Sequence, residues 1–312
     1  MSAAEPQGGA GIGDRVALAL VVFAALGYSF HTTLARATYD YGPGPMTILL
    51  FRSLTTAVAL YVILRLRGLD PWPKGKALWG GMFLGVLLAC QAAAMLSALY
   101  FIPASLLILV FYLFPMMVAA ISHLTGMHRI TAVNLVALAA AFVGVAIALG
   151  VAPEGLDWRG VVLGLVAALT VAGNIVGSGS VMRTMNPIVL TFVMALAMCL
   201  VYVVANAVRG EIVLPGEPAG WRPLAGSVLA YLVASIALYS SIHRLGPPRV
   251  AIVMNVEPIF TIVLANVLLE ERLTLIQLLG AAIVVGAIFA NAYFGLRARR
   301  AEAAAQAGAK ER

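Results

Sequence analysis

The sequence predicts an all-α integral membrane protein: ten transmembrane helices arranged as two inverted five-helix repeats. Three observations carry this prediction. Ten apolar stretches fill the chain from Val16 to about Leu296, each near the length of about 20 residues that one bilayer crossing needs. The composition is 62% hydrophobic and 11% charged, against about 25% charged in a soluble domain. A water-soluble fold of 312 residues has no means of hiding that much apolar surface. Finally, the halves of the chain echo each other at one fixed offset.

The spans follow one another with short polar breaks. They cover residues 16–36, 45–66, 78–100, 104–123 and 131–150, then 159–180, 187–208, 223–242, 248–269 and 274–296. Pro45, Pro187 and the Pro247-Pro248 pair stand at span starts, where a missing backbone N–H does no harm. Trp72, Trp79, Trp158 and Trp221 all fall near span ends, the headgroup level that indole prefers. Residues 1–15 are rich in Gly and Ala and read as a disordered N-terminus. Residues 297–312 read as a basic tail at the membrane surface. The string Ala35-Arg36-Ala37 resembles a cleavage site, but the apolar run before it is long for a signal peptide, and the span is kept. Cys90 and Cys199 both lie inside spans and do not form a disulfide framework.

Ten spans leave both termini on one side. Fourteen Lys and Arg residues lie on that side, five on the other, and Arg52 within the membrane. The excess places both termini in the cytoplasm. It also accounts for the net charge of +7 without any nucleic-acid partner.

The repeat is read from register. Pro115 and Pro258 interrupt the fourth and ninth spans 143 residues apart. At that offset His31 meets Asn174, Ser97 meets Ser240, Arg129 meets Arg272, Thr131 meets Thr274 and Asn134 meets Gln277. The units are 16–150 and 158–296. Five spans per unit make the second copy enter from the opposite side, an inverted-topology repeat of the kind many secondary transporters use.

Several short motifs sit in this framework. They are Phe51-Arg52 in the second span and Ala104-Ser105 with Pro115 in the fourth. The second half has Glu257-Pro258 in the ninth span, then Glu270-Glu271-Arg272-Leu273-Thr274 and Gly280 leading into the tenth. In this order the chain resembles an EamA-type permease of the drug/metabolite transporter superfamily. The resemblance implies a 5+5 inverted bundle around a central cavity, moving metabolites or xenobiotics, often as a proton-coupled exporter of the inner cell membrane of bacteria. The first span carries Leu26-Gly27-Tyr28-Ser29 and lacks a tryptophan often found there in relatives.

Two strongly ionised side chains lie well inside spans, Arg52 and Glu257. A charge at the bilayer centre costs at least about 2.5–3.5 kcal/mol, so each should face the bundle interior. Glu257 lies about 12 Å along its helix from the cytoplasmic end. Beside the helix-kinking Pro258 it is the candidate for exchanging a proton with the cycle, or else a structural carboxyl bonded to a neighbouring helix. Arg52 is either an anion-binding group or a structural one whose guanidinium snorkels to the interface.

Polar stripes at three- or four-residue spacing mark inward faces: Thr170, Asn174 and Ser178; Ser227, Tyr231, Ser235 and Tyr239; and Tyr28, His31 and Thr32. Such stripes line a cavity or join helices. With the isolated Gln91, Tyr112 and Asn255, they make Tyr28, His31, Gln91, Tyr112, Asn174, Tyr231, Ser235 and Asn255 the substrate-binding candidates. The glycine pairs Gly81/Gly85, Gly160/Gly164 and Gly173/Gly177 allow close helix approach. His123 and His128 do not share a helical face, and no metal or cofactor is expected. No nucleophile with a base at one depth and no phosphate-binding loop occurs, which argues against an enzyme and against ATP drive by this chain. The expected function is secondary transport, as an exporter, of a small polar organic metabolite such as an amino acid, with protons as the possible coupling ion. A multispan scaffold or an intramembrane enzyme is the alternative.

Overall fold

A computed structural model describes residues 12–102, 104–126, 131–149, 157–209, 212–269, 274–276, 278–287 and 289–290. Among the described residues it is all-helical. In order the helices are α1 (Ile12–Tyr39), α2 (Pro45–Leu66), α3 (Lys76–Ala98), α4 (Ala104–Phe111), α5 (Phe114–Leu124) and α6 (Ala132–Leu149). The second half has α7 (Trp158–Val181), α8 (Pro187–Arg209), α9 (Trp221–Leu245), α10 (Pro247–Met254), α11 (Glu257–Leu269) and α12 (Leu278–Ala287), with one 3₁₀ turn at Pro218–Gly220.

Local sequence explains the helix starts. Asp157 caps α7, its carboxylate accepting from the Arg159 N–H at 2.9 Å. Asn186 does the same for α8 through Ile188 N–H at 2.9 Å. Before α6, Thr131 Oγ1 accepts from Asn134 N–H at 3.3 Å while Asn134 Oδ1 accepts from Thr131 N–H at 3.1 Å, a reciprocal capping arrangement. Gly246, at φ +80°, lets the chain turn from α9 into α10 in a conformation open to glycine.

Seven helices are long and apolar enough to cross a membrane: Gly13–Tyr39, Pro45–Leu66, Lys76–Ala98, Leu106–Leu124, Trp158–Val181, Pro187–Val208 and Pro218–Leu245. The three other expected spans fall on α6, on the α10–α11 pair and on α12, whose described apolar runs are shorter or interrupted. Large apolar side chains are exposed along the described helices. Val58, Phe83, Leu169, Val204 and Val267 are 54–67% exposed, a surface that suits lipid and not water. Trp79, Trp158 and Trp221 are exposed in the first turns of α3, α7 and α9, and Trp72 in the link before α3.

Helices pair mainly across the halves of the chain. α1 packs along α9, and α7 packs in the same way along α3. α1 also meets α11, as α7 meets α5; α3 meets α8, as α9 meets α2; and α2 meets α8. Each contact recurs with the roles of the halves exchanged, which is a two-fold relation. The contact of α1 with its chain neighbour α2 is slight, so the repeats interlock and are not separate bundles.

Two details correct the sequence reading. Residues 12–15, expected to be disordered, are the first turn of α1; residues 1–11 and 297–312 lie outside the described residues, as do Arg129 and 270–273. The fourth and ninth spans are each two helices joined by a tight two-residue link, Tyr112–Leu113 and Asn255–Val256. In each link, bonds of the 3₁₀ kind replace α-helical ones: Leu113 N–H donates to Val110 O and Val256 N–H to Val253 O. Pro115 and Pro258 therefore stand at the start of a new segment, where no partner for a proline nitrogen is needed. The links lie at the same 143-residue offset as the prolines.

The glycines explain the closest crossings. A Cβ on Gly85 would stand 2.5 Å from Met194 O, and one on Gly81 would stand 2.8 Å from Val193 Cγ1, at the α3–α8 contact. Gly160 and Gly164 admit Ile102 and Val110 in the same manner. Gly173 does not belong with them; its nearest neighbour, Leu87 Cδ1, would be at an ordinary 3.8 Å.

Candidate functional site

The polar groups inside the bundle gather where α1, α2, α8 and α9 meet. Arg52, on α2, sends Nη1 to His31 Nε2 on α1 at 3.2 Å. A guanidinium has donors only, so His31 Nε2 is the acceptor and the ring hydrogen sits on Nδ1. That nitrogen faces Ser227 of α9, 3.1 Å from the carbonyl oxygen and 2.8 Å from Oγ. Ser227 Oγ also donates to His31 O at 3.1 Å. The imidazole is thus held from both sides in one orientation.

Tyr231, one helical turn beyond Ser227, lies beneath the guanidinium with Arg52 Cζ 4.2 Å from the ring centre. This is a cation–π contact in a setting largely free of water, where such contacts are strongest. Tyr28 meets Tyr231 edge to face, with centroids 5.6 Å apart. Below Tyr231 a narrow space with room for about one water is lined by Thr56, Thr191, Ser235 and Tyr239.

Glu257 opens α11 and is partly buried. Its backbone carbonyl, not its carboxyl, is tied down: Ser29 Oγ donates to Glu257 O at 2.8 Å and Thr261 Oγ1 does so at 3.1 Å. Tyr28 lies within electrostatic reach of both Glu257 and Arg52, and Tyr112 within reach of Glu257. No cation among the described residues neighbours the Glu257 carboxyl.

The other candidates separate into two kinds. Asn174 is fully engaged: Nδ2 donates to Leu84 O at 2.9 Å, and Oδ1 accepts from Tyr239 O–H at 2.8 Å. Asn255 donates back to Ala251 O and Ile252 O, closing the last turn of α10. Ser235 donates to Leu232 O of its own helix and Gln91 to Met95 Sδ of its own. Tyr112 is buried against Phe111 and Phe114. Thr32 departs from the inward face drawn for it; it is exposed and bonds to Tyr28 O and Ser29 O of α1.

Ser29 and Thr261, which hold the α11 start, are not among the site candidates of the sequence. Ser29 follows Tyr28 by one position and falls outside the Tyr28–His31 spacing. Tyr202, 2% exposed on α8 beside Ala195 and Tyr231, was also missed, since it is a single tyrosine in a mostly apolar helix.

At the opposite end a cleft of about 350 Å³ opens among Gly179, Arg183, His243, Arg244 and Pro247. Among the described residues no group of three or more His, Cys, Asp or Glu is placed to hold a metal ion.

Comparison with known proteins agrees with this architecture. A solved crystal structure superposes with a TM-score of 0.76 over 90% of this chain and 97% of the other, at 19% identity, a likeness of fold. A search of curated proteins finds no match. The profile of the EamA-like transporter family matches twice, over residues 15–150 and again over 158–293. The two matches fall on the halves that exchange roles in the helix packing, and the chain is a member of the EamA-like transporter family.

Proposed function

We propose that the protein is a secondary transporter of the drug/metabolite type, with ten transmembrane helices in two inverted repeats and both termini in the cytoplasm of a bacterial cell. It exports small polar organic metabolites, amino acids or related compounds, by alternating access. Glu257 carries the coupling proton. The substrate meets Tyr28, Tyr231 and Tyr112 in the seam between the halves, while His31, Asn174, Ser235, Asn255 and Gln91 shape its walls.

One observation carries the reading. Glu257 and Arg52 are charged groups inside the bundle that both act electrostatically on Tyr28, and the fold demands neither charge. The equivalent positions of the sister half hold Phe114 and Ala195. A charged group in lipid that the scaffold manages without is best explained by function. The basic cleft around Arg183 and Arg244 supports an inner mouth.

The test is flux in vesicles holding the purified protein alone, with and without a pH gradient, using a solute found by thermal shift. Solute movement driven by the gradient is the expected result, with Glu257→Gln folded but no longer driven. Absence of flux for every stabilising solute would leave a scaffold as the better reading.

A further inference from the structure

Arg52 is the one charged group at the seam that approaches from the α2 side, and its surroundings leave it incomplete. His31 takes a hydrogen from Nη1, and Tyr231 covers one face of the plane. Nε is buried and has no partner. No carboxylate among the described residues pairs with the guanidinium. Thr56 Oγ1, close to the same α2–α8 seam, is likewise buried without a partner, and Tyr202 O–H lies within hydrogen-bonding reach of Arg52 itself. Arg52 as a whole is half-buried, and an unsatisfied buried donor such as its Nε calls for an explanation.

We infer that Arg52 is the receptor for a carboxylate of the transported solute. This rests on the transporter reading and narrows its substrate to compounds bearing an anionic group. The Nε edge of a guanidinium matches the two oxygens of a carboxylate in a planar, paired contact. His31 turns the guanidinium by holding Nη1, and Tyr231 fixes its plane. The hydroxyls of Thr56 and Tyr202 are further donors along the path. Snorkelling to the interface does not describe this arginine, since it is bound inward to His31 and Tyr231. Nor does structural need, since the same register in the sister half is filled by Ala195, with Leu88 in place of Tyr231.

The experiment uses full-length protein in detergent and matched probes: L-phenylalanine, its amide, phenethylamine, phenylacetate, and inorganic phosphate and chloride as simple anions. Melting is followed for the wild type, Arg52→Gln and Arg52→Lys with each probe up to about a thousandfold range of concentration, since stabilisation grows with the logarithm of ligand over Kd. The expected result is stabilisation of the wild type by the carboxylates and not by the amide or amine. Arg52→Gln melts near the wild-type temperature yet binds the carboxylates at least about tenfold more weakly, a loss of about 1.4 kcal/mol; Arg52→Lys keeps part of the affinity. Equal stabilisation by the amide, an unchanged response in Arg52→Gln, a response to phosphate or chloride alone, or no response to any carboxylate overturns the assignment. If Arg52→Gln does not fold, protection of wild-type flux against carboxylate competitors decides instead: competition by the amide equal to that by the acid overturns the assignment. Flux of a neutral solute that is indifferent to carboxylates would overturn it while the transporter reading stands.

Discussion

At the seam between α1 and α9, His31 reaches across to the backbone of Ser227. At the seam between α7 and α3, Asn174 reaches across to the backbone of Leu84. The 143-residue offset carries His31 onto Asn174 and Leu84 onto Ser227, so the same strut is built twice. Each ties the first helix of one half to the third helix of the other. What surrounds the struts differs. Asn174 is closed off by Tyr239, whereas His31 hands its second nitrogen to Arg52. Arg52, Tyr231 and Glu257 correspond to Ala195, Leu88 and Phe114. The sister half thus acts as an internal control: shared features belong to the scaffold, and features present once are the ones on which the proposed chemistry is to be tested.

The largest effect expected from this contrast comes from making the halves alike at one position. Glu257→Phe installs the residue the sister half already uses. The variant should insert and fold, yet gradient-driven flux should fall to background in reconstituted vesicles. Retention of drive would show that the asymmetry carries no function. Next in size is Gly85→Val. Its counterpart is Val228, tolerated because α9 makes less extensive contact with α2 than α3 does with α8. At Gly85 the new Cβ would lie 2.5 Å from Met194 O, and overpacking should cost about 1–3 kcal/mol or more in an unfolding titration.

Removing a strut should cost less. Asn174→Ala leaves Tyr239 O–H without a partner and removes the cross-helix donor to Leu84 O, and polar contacts between membrane helices are worth about 0.6–1.7 kcal/mol. The same titration measures it, and His31→Asn, which copies the sister strut, should recover most of what His31→Ala loses. Smallest is Thr32→Val. Thr32 is exposed and bonds only within α1, so stability should stay within about 0.5 kcal/mol of wild type. A loss of flux in that variant would return Thr32 to the inward face.

Much of the scaffold was legible in the residues. Hydropathy marked seven of the ten spans as helices long and apolar enough to cross a membrane among the described residues, because lipid leaves the backbone few options other than a helix. Pro115 and Pro258 marked the links because a ring nitrogen cannot donate. Helical spacing revealed which faces are polar, but not what those faces meet. A buried Asn bonds a carbonyl of its own helix, as Asn255 does, or of another, as Asn174 does, and the spacing is the same in both cases. The preference of α1 for α9 over α2 was also hidden, since an amphipathic pattern names a face and not its partner. Arg52 was ambiguous for that reason: only its approach to His31 and Tyr231 distinguishes an inward guanidinium from one that snorkels.

The most direct test of the account is proton movement set off by solute. Vesicles containing the protein and an internal pH dye, with no imposed gradient, are given a solute that stabilises the wild type. The account predicts a dye response with the wild type and none with Glu257→Gln, even where the variant still binds the solute. An equal response from both proteins would contradict it.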